Sequence, residues 1–126
     1  MKKFIVNLVI GAVLLGCSPD KPTLHLFNWS DYVDQEVITQ FEEKYDCKVV
    51  LDSFDDNEAM LAKLMAGGSS GYDVIFPSSY IVPVMVRNNL IRPLDMEKLP
   101  NVVSNLDWNY KGTFTEYVGK YSVPYG

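Results

Sequence analysis

The chain has 126 residues, 48% hydrophobic, 21% charged and 13% aromatic, the composition of one ordinary globular domain rather than a coiled coil, a repeat array or a disordered segment. Its net charge of −5 would repel a phosphate backbone, so nucleic acid is not expected as a partner, whereas a cationic ligand is favoured. Mild acidity also serves solubility in many proteins, so charge alone does not identify a ligand.

The first element is a leader. Met1-Lys2-Lys3 is followed by a run from Phe4 to Gly16 whose only clearly polar residue is Asn7. Thirteen residues of helix reach about 20 Å, short of the ~30 Å of a bilayer core, so residues 1–16 read as a secretory signal peptide and not as a membrane span. The run ends Leu14-Leu15-Gly16-Cys17, which resembles the lipobox of bacterial lipoproteins, and this resemblance implies lipidation of Cys17 and a membrane anchor. Acyl chains at about 0.8 kcal/mol per buried CH₂ would hold such a protein at a membrane. Residues 17–22 then form the lipidated end and a polar, Pro-containing tether, and 23–126 the folded part. Without the leader lysines, the remainder carries 9 basic against 16 acidic side chains, a net −7. Cys47 is the other cysteine, so no disulfide framework is expected; it reads as a small buried hydrophobe at a strand start.

From Thr23 onward, strands and helices alternate. Thr23 to Trp29 is an apolar-rich strand. Val33, Val37, Ile38, Phe41 and Tyr45 recur at helical spacing and predict a helix from about Asp34 to Tyr45, with Asp34 or Asp31 as its cap. Lys48 to Asp52 is a second strand. Asn57 to Ala66 reads as a second helix, capped by Asp56 or Asn57 and ended by Gly67-Gly68. Tyr72 to Phe76 is a third strand, closed by Pro77. Ser79 to Asn88 is a third helix with Pro83 in its first turn. Beyond Leu90 the signal weakens, and residues 121–126 read as the start of another strand or a loop. The expected class is α/β with a mostly parallel sheet.

This topology predicts where a ligand would sit. In open α/β sheets, sites lie outside the carboxyl ends of the strands. Three loops leave those ends: Asn28-Trp29-Ser30-Asp31-Tyr32, Ser53-Phe54-Asp55-Asp56-Asn57 and Pro77-Ser78-Ser79-Tyr80. They gather aromatic faces, which attract ammonium groups by about 0.5–2 kcal/mol each, with carboxylates and hydroxyls able to make charge-assisted hydrogen bonds of about 1.5–3 kcal/mol. That pairing suits an elongated cation with methylene segments. Each loop also has a plainer role: Asp55, Asp56 and Asn57 as helix caps, Asp31 as a cap, Trp29 and Tyr32 as core aromatics, Ser78 and Ser79 as caps. The third helix's N-terminus would alternatively favour an anion. Catalysis is not expected. The single histidine, His25, lies within a strand with no nucleophile–base constellation around it, and neither a metal nor another cofactor is expected.

At these same loops the chain resembles the bacterial periplasmic spermidine/putrescine-binding protein family. The matching pieces are Phe27-Asn28-Trp29-Ser30-Asp31-Tyr32, Phe41-Glu42 through Lys48-Val49, Asn57-Glu58-Ala59-Met60 through Lys63-Leu64, Tyr72 through Tyr80, and residues 121–125. The resemblance implies a lobe of the type II periplasmic-binding-protein fold, in a two-lobed receptor that delivers a polyamine to the permease of an ABC importer from the periplasm or the cell surface. It implies that Trp29 and Tyr80 pack on the methylene chain, that Ser30, Asp31 and Ser78 hydrogen-bond a terminal amine, and that Tyr32 walls the pocket. Two departures stand out. Asp46 occupies a turn where the family usually has glycine, and Asp55-Asp56 is more acidic than the common pattern. A two-lobed receptor needs about 100–150 residues per lobe, so residues 23–126 are expected to provide only the N-terminal part of the first lobe.

Overall fold

The computed structural model describes residues 20–67, 71–107 and 115–124. The leader, Cys17, the first part of the tether, and Tyr125-Gly126 lie outside the described residues.

Three parallel strands form a sheet in the order β2-β1-β3. The strands are β1 (Thr23–Trp29), β2 (Lys48–Phe54) and β3 (Val74–Ile75). The pairing of β1 with β2 runs in register from Thr23 opposite Lys48 to Trp29 opposite Phe54. On the other side, Leu26 and Phe27 face Val74 and Ile75. The third strand is shorter than the sequence predicts. Tyr72, Asp73 and Phe76 fall outside the ladder, although Asp73 N–H donates to the His25 carbonyl (2.9 Å) and Phe76 N–H to the Phe27 carbonyl (3.0 Å).

Helix α1 (Gln35–Tyr45) joins β1 to β2, and α2 (Asn57–Gly67) joins β2 to β3. Asp34 caps α1, its carboxylate accepting from Glu36 N–H at 2.8 Å. Asp56 caps α2 through Ala59 N–H at 2.6 Å. Each cap satisfies an N–H that has no partner within its helix. At the other end of α1, Asp46 adopts the left-handed conformation (φ 48°, ψ 48°), and its N–H bonds to the Glu42 carbonyl. The unusual aspartate therefore takes up the turn geometry that glycine adopts without a Cβ penalty.

The predicted third helix is two pieces. A 3₁₀ turn at Ser79–Ile81 leads into α3 (Val82–Arg87), with Pro83 in the first turn of α3. The remainder is short: a 3₁₀ turn at Met96–Lys98, α4 (Pro100–Asn105) and a 3₁₀ turn at Thr115–Tyr117. Among the described residues the C-terminal segment adds no strand, only an isolated bridge between Val118 and Ser122. Leu94 N–H, bonded to the Lys120 carbonyl at 2.8 Å, ties it back to the chain after α3.

The core lies on one face of the sheet. Phe27, Phe54, Met60, Leu64, Ile81 and Met85 are buried together. The alternation along β1 and β2 puts Phe27 and Phe54 on the same face, with ring centroids 4.9 Å apart in an edge-to-face contact. Tyr72 stacks on Phe27 at 4.4 Å. Burying each such side chain contributes roughly 1.5–3 kcal/mol. The sheet's other face is less covered. Of the apolar positions predicted along α1, only Ile38 is buried, while Val37, Phe41 and Tyr45 stay exposed, as do Leu51 and Val74. Cys47 is half-buried rather than buried, in the short passage from α1 to β2.

Candidate functional site

The carboxyl end of β1 is closed by a sharp turn. Ser30 N–H donates to the Phe54 carbonyl at 3.1 Å, which continues the β1–β2 pairing one residue past the ladder. Asp31 follows with φ 57°, a left-handed conformation that aspartate tolerates better than most residues. The chain thereby folds back over the ends of β1 and β2. An open cleft of about 450 Å³ results, lined by Trp29, Ser30, Asp31, Tyr32 and Val33 from the turn and by Leu51 and Ser53 from β2.

Each of these side chains is placed by a different force. Trp29 is half-buried, and its ring tilts against Phe54 with centroids 4.7 Å apart, so the core holds the indole from below. It serves as an aromatic of the core edge and as a wall of the cleft at once. Tyr32 is 58% exposed and stands at the mouth. Asp31 is exposed and is not the cap of α1, because Asp34 fills that role. Asp31 lines the cleft instead.

Ser78 and Tyr80 sit at the carboxyl end of β3, and they belong to a second cluster that does not line the cleft. Its centre is Asn57, which is 4% exposed. The Asn57 amide nitrogen donates to Ser78 Oγ (3.1 Å) and to Tyr80 Oη (3.2 Å). Its Oδ1 accepts from Ser78 N–H at 3.0 Å. Tyr80 in turn donates its hydroxyl proton to Glu58 Oε1 at 3.1 Å. Ser78 stands at the N-cap position of the turn that follows it, but its side chain makes no capping hydrogen bond there.

The six predicted residues therefore fall into two groups on one edge of the sheet. Trp29, Ser30, Asp31 and Tyr32 share a cleft, and Ser78 and Tyr80 share a hydrogen-bonded cluster at the start of α2. Leu51 and Glu58 were not anticipated, and Asn57 was anticipated only as a cap. With Asp56 as the cap, the Asn57 side chain is left to bond elsewhere, which the sequence alone, with either residue able to cap, does not show.

The electrostatics favour positive charge. Residues 28–34, 53–58 and 77–80 carry Asp31, Asp34, Asp55, Asp56 and Glu58 and contain no lysine or arginine. The anion alternative loses its basis, because the third helical segment opens as a 3₁₀ turn and continues for only six residues, too short for a substantial macrodipole. Elsewhere, Asp52 is bonded to Lys63 (2.5 Å) and to the Tyr72 hydroxyl. Lys63 first and Tyr72 second hold the Asp52 carboxyl below its ordinary range. The Lys63 ammonium lies 4.9 Å from the centroid of Phe27. This group braces the sheet against α2, away from the cleft. Among the described residues no three His, Cys, Asp or Glu side chains are grouped to hold a metal ion, and no helix is long and apolar enough to cross a membrane. His25 is a half-buried strand residue whose backbone N–H bonds to Asp73 Oδ2 at 2.8 Å.

No protein-family model matches the chain. Individual proteins do. The spermidine/putrescine-binding periplasmic protein of Escherichia coli is 35% identical over 130 residues, covering 99% of this chain and 37% of that protein. The substrate-binding protein PotD of a spermidine/putrescine ABC transporter from Streptococcus pneumoniae has a similar fold, with a TM-score of 0.58 and 41% identity over 62% of this chain and 24% of that one. The TpPotD lipoprotein of Treponema pallidum gives a TM-score of 0.59 and 42% identity over 64% of this chain and 25% of that one. The chain spans about a third of the length of the curated relatives it matches. The α/β fold with its parallel sheet is thus periplasmic-binding-protein-like and corresponds to part of these larger structures.

Proposed function

We propose that this chain, a relative of the spermidine/putrescine-binding periplasmic proteins, forms one wall of an extracytoplasmic polyamine site that feeds an ABC importer. One observation carries the reading. The turn after β1 folds Trp29, Ser30, Asp31 and Tyr32 into a single open cleft on an edge whose loops bear carboxylates and no basic side chain. A protonated amine fits this chemistry. Asp31 and Ser30 accept its N–H groups, and the indole of Trp29 and the phenol of Tyr32 cover its methylene segment and attract its charge. Ser78 and Tyr80 extend the wall along the same edge. The role is binding rather than catalysis, in keeping with relatives that are themselves named as binding proteins.

The leader belongs to the same proposal. Residues 1–16 direct export, Cys17 is lipidated, and residues 17–22 tether the domain to a membrane on the periplasmic side or at the cell surface; the Treponema pallidum relative is itself described as a lipoprotein.

The test is an NMR titration of the 126-residue chain with putrescine, spermidine and, separately, sulfate. The polyamines are expected to shift the amide resonances of residues 29–32 and the Trp29 indole, and sulfate to leave them in place. Shifts caused by sulfate and not by either polyamine would reject the assignment. One wall alone should bind weakly, so the range extends to millimolar ligand.

A further inference from the structure

We infer that Asn57 is the positioning residue of the polyamine wall: its buried amide sets the direction of the Ser78 hydroxyl and the Tyr80 phenol without itself facing the ligand. The inference rests on the polyamine reading above and deepens it.

Asn57 opens α2, yet Asp56 is the cap. At 4% exposure its amide is buried, where an unpaired polar group would be costly. Both its donor and its acceptor sides point at one segment, residues 78–80. The orientation of the amide follows from chemistry. Ser78 backbone N–H can only donate, so the oxygen of Asn57 must face it and the nitrogen must face the two hydroxyls.

The protons downstream are then also assigned. Tyr80 Oη accepts from Asn57 and gives its proton to the Glu58 carboxylate, which can only accept. Ser78 Oγ accepts one Asn57 proton and keeps a second lone pair. That lone pair is what an incoming ammonium group needs. The chain Asn57–Tyr80–Glu58 also holds a carboxylate beside the phenol. Without Asn57 both hydroxyls could rotate, and Ser78 N–H would lose its acceptor. The ligand would then have to order groups that the folded protein now holds in place.

A double-mutant cycle on putrescine affinity, measured by the same NMR titration, tests this. Asn57→Ala alone should weaken binding about five- to tenfold, equivalent to about 1–1.4 kcal/mol. In a Ser78→Ala/Tyr80→Phe background, Asn57→Ala should cause no further loss, since no hydroxyl remains for it to aim and its remaining bond, to the backbone N–H at position 78, orients no group that meets the ligand. Equal losses in both backgrounds, or no loss in the first, would overturn the inference. If Asn57→Ala does not fold, Asn57→Asp keeps the acceptor for Ser78 N–H and removes both donors. The Ser78 amide and the Tyr80 ring signals should then shift while those of Asp31 stay fixed. Unmoved Tyr80 signals would equally overturn it. The two readings fail in different ways. If Trp29→Ala leaves putrescine affinity unchanged, the binding site itself is misplaced. If Trp29→Ala weakens binding but Asn57→Ala is additive with the hydroxyl deletions, the site stands and only the positioning role falls.

Discussion

Replacing Asp46 with glycine should make this protein more stable, although it deletes an ion pair. Asp46 ends α1 with φ 48° and ψ 48°. A left-handed residue bearing a Cβ costs about 1–2 kcal/mol relative to the right-handed region, and aspartate sits near the lower end of that range. Glycine pays no such penalty, but its greater freedom in the unfolded chain takes back about 0.5 kcal/mol. The carboxylate's contact is with Lys21 at 2.8 Å, and both side chains are largely in solvent. Such a pair contributes little. A net gain of about 0.5 kcal/mol remains, worth about 2 °C in Tm for a domain of this size. Urea unfolding followed by circular dichroism should show a higher midpoint with an unchanged slope, because the exposed surface does not change. Asp46→Ala is the control. It removes the same carboxylate but keeps the Cβ, so it should give no gain. If alanine stabilises as much as glycine, charge and not backbone geometry is responsible, and the reasoning fails.

Other outcomes follow from the same geometry. Met60 is fully buried in the cluster that joins α2 to the sheet, so Met60→Ala should cost about 2–5 kcal/mol. Val37→Ala on the exposed stripe of α1 should change stability by less than about 0.5 kcal/mol; similar losses at the two positions in denaturant titrations would contradict the placement of the core. Asp52 has its carboxyl lowered from 3.8 by Lys63 and Tyr72. A depressed carboxyl stabilises fully above its unfolded value, and the stabilisation is lost as pH falls through the folded value. Asp52→Asn should therefore lower Tm at pH 7 and flatten the fall in Tm below about pH 4; a wild-type and variant difference that persists undiminished into strong acid would disagree. Lys63, raised from 10.5 mainly by Asp52, predicts the mirror effect, a loss as pH rises past that value. Cys17→Ala should move the protein from the membrane to the soluble fraction on cell fractionation, and retention in the membrane would contradict the lipid anchor.

Much of the architecture is legible in the residues because it is local. The bounds of β1 match the apolar run from Thr23 to Trp29, and α1 and α2 fall within a residue of their periodic patterns. Strand–helix alternation gives a parallel sheet, and the parallel sheet puts the three loops at one edge. That step needs no side-chain detail, which is why Trp29 through Tyr32 could be singled out in advance. The choice between Asp31 and Asp34 as cap was not decidable, because either aspartate can precede a helix start and only the observed start at Gln35, with Asp34 accepting from Glu36 N–H, separates them.

Other features depend on which strands meet and in what register. Leu51 and Ser53 enter the cleft because β2 pairs with β1 residue for residue, a fact carried by no segment alone. Ser78 and Tyr80 fall into a separate cluster because a buried asparagine twenty-one positions before Ser78 bonds to both. The third strand shrinks to Val74–Ile75, and the stripe on α1 stays partly in water, because partners across space set how much of each is covered. Helical and strand periodicity is encoded over a few neighbouring residues, so the chain alone settles it. Hydrogen bonds and burial between distant residues exist only once the sheet has brought those residues together, and so the fold decides them.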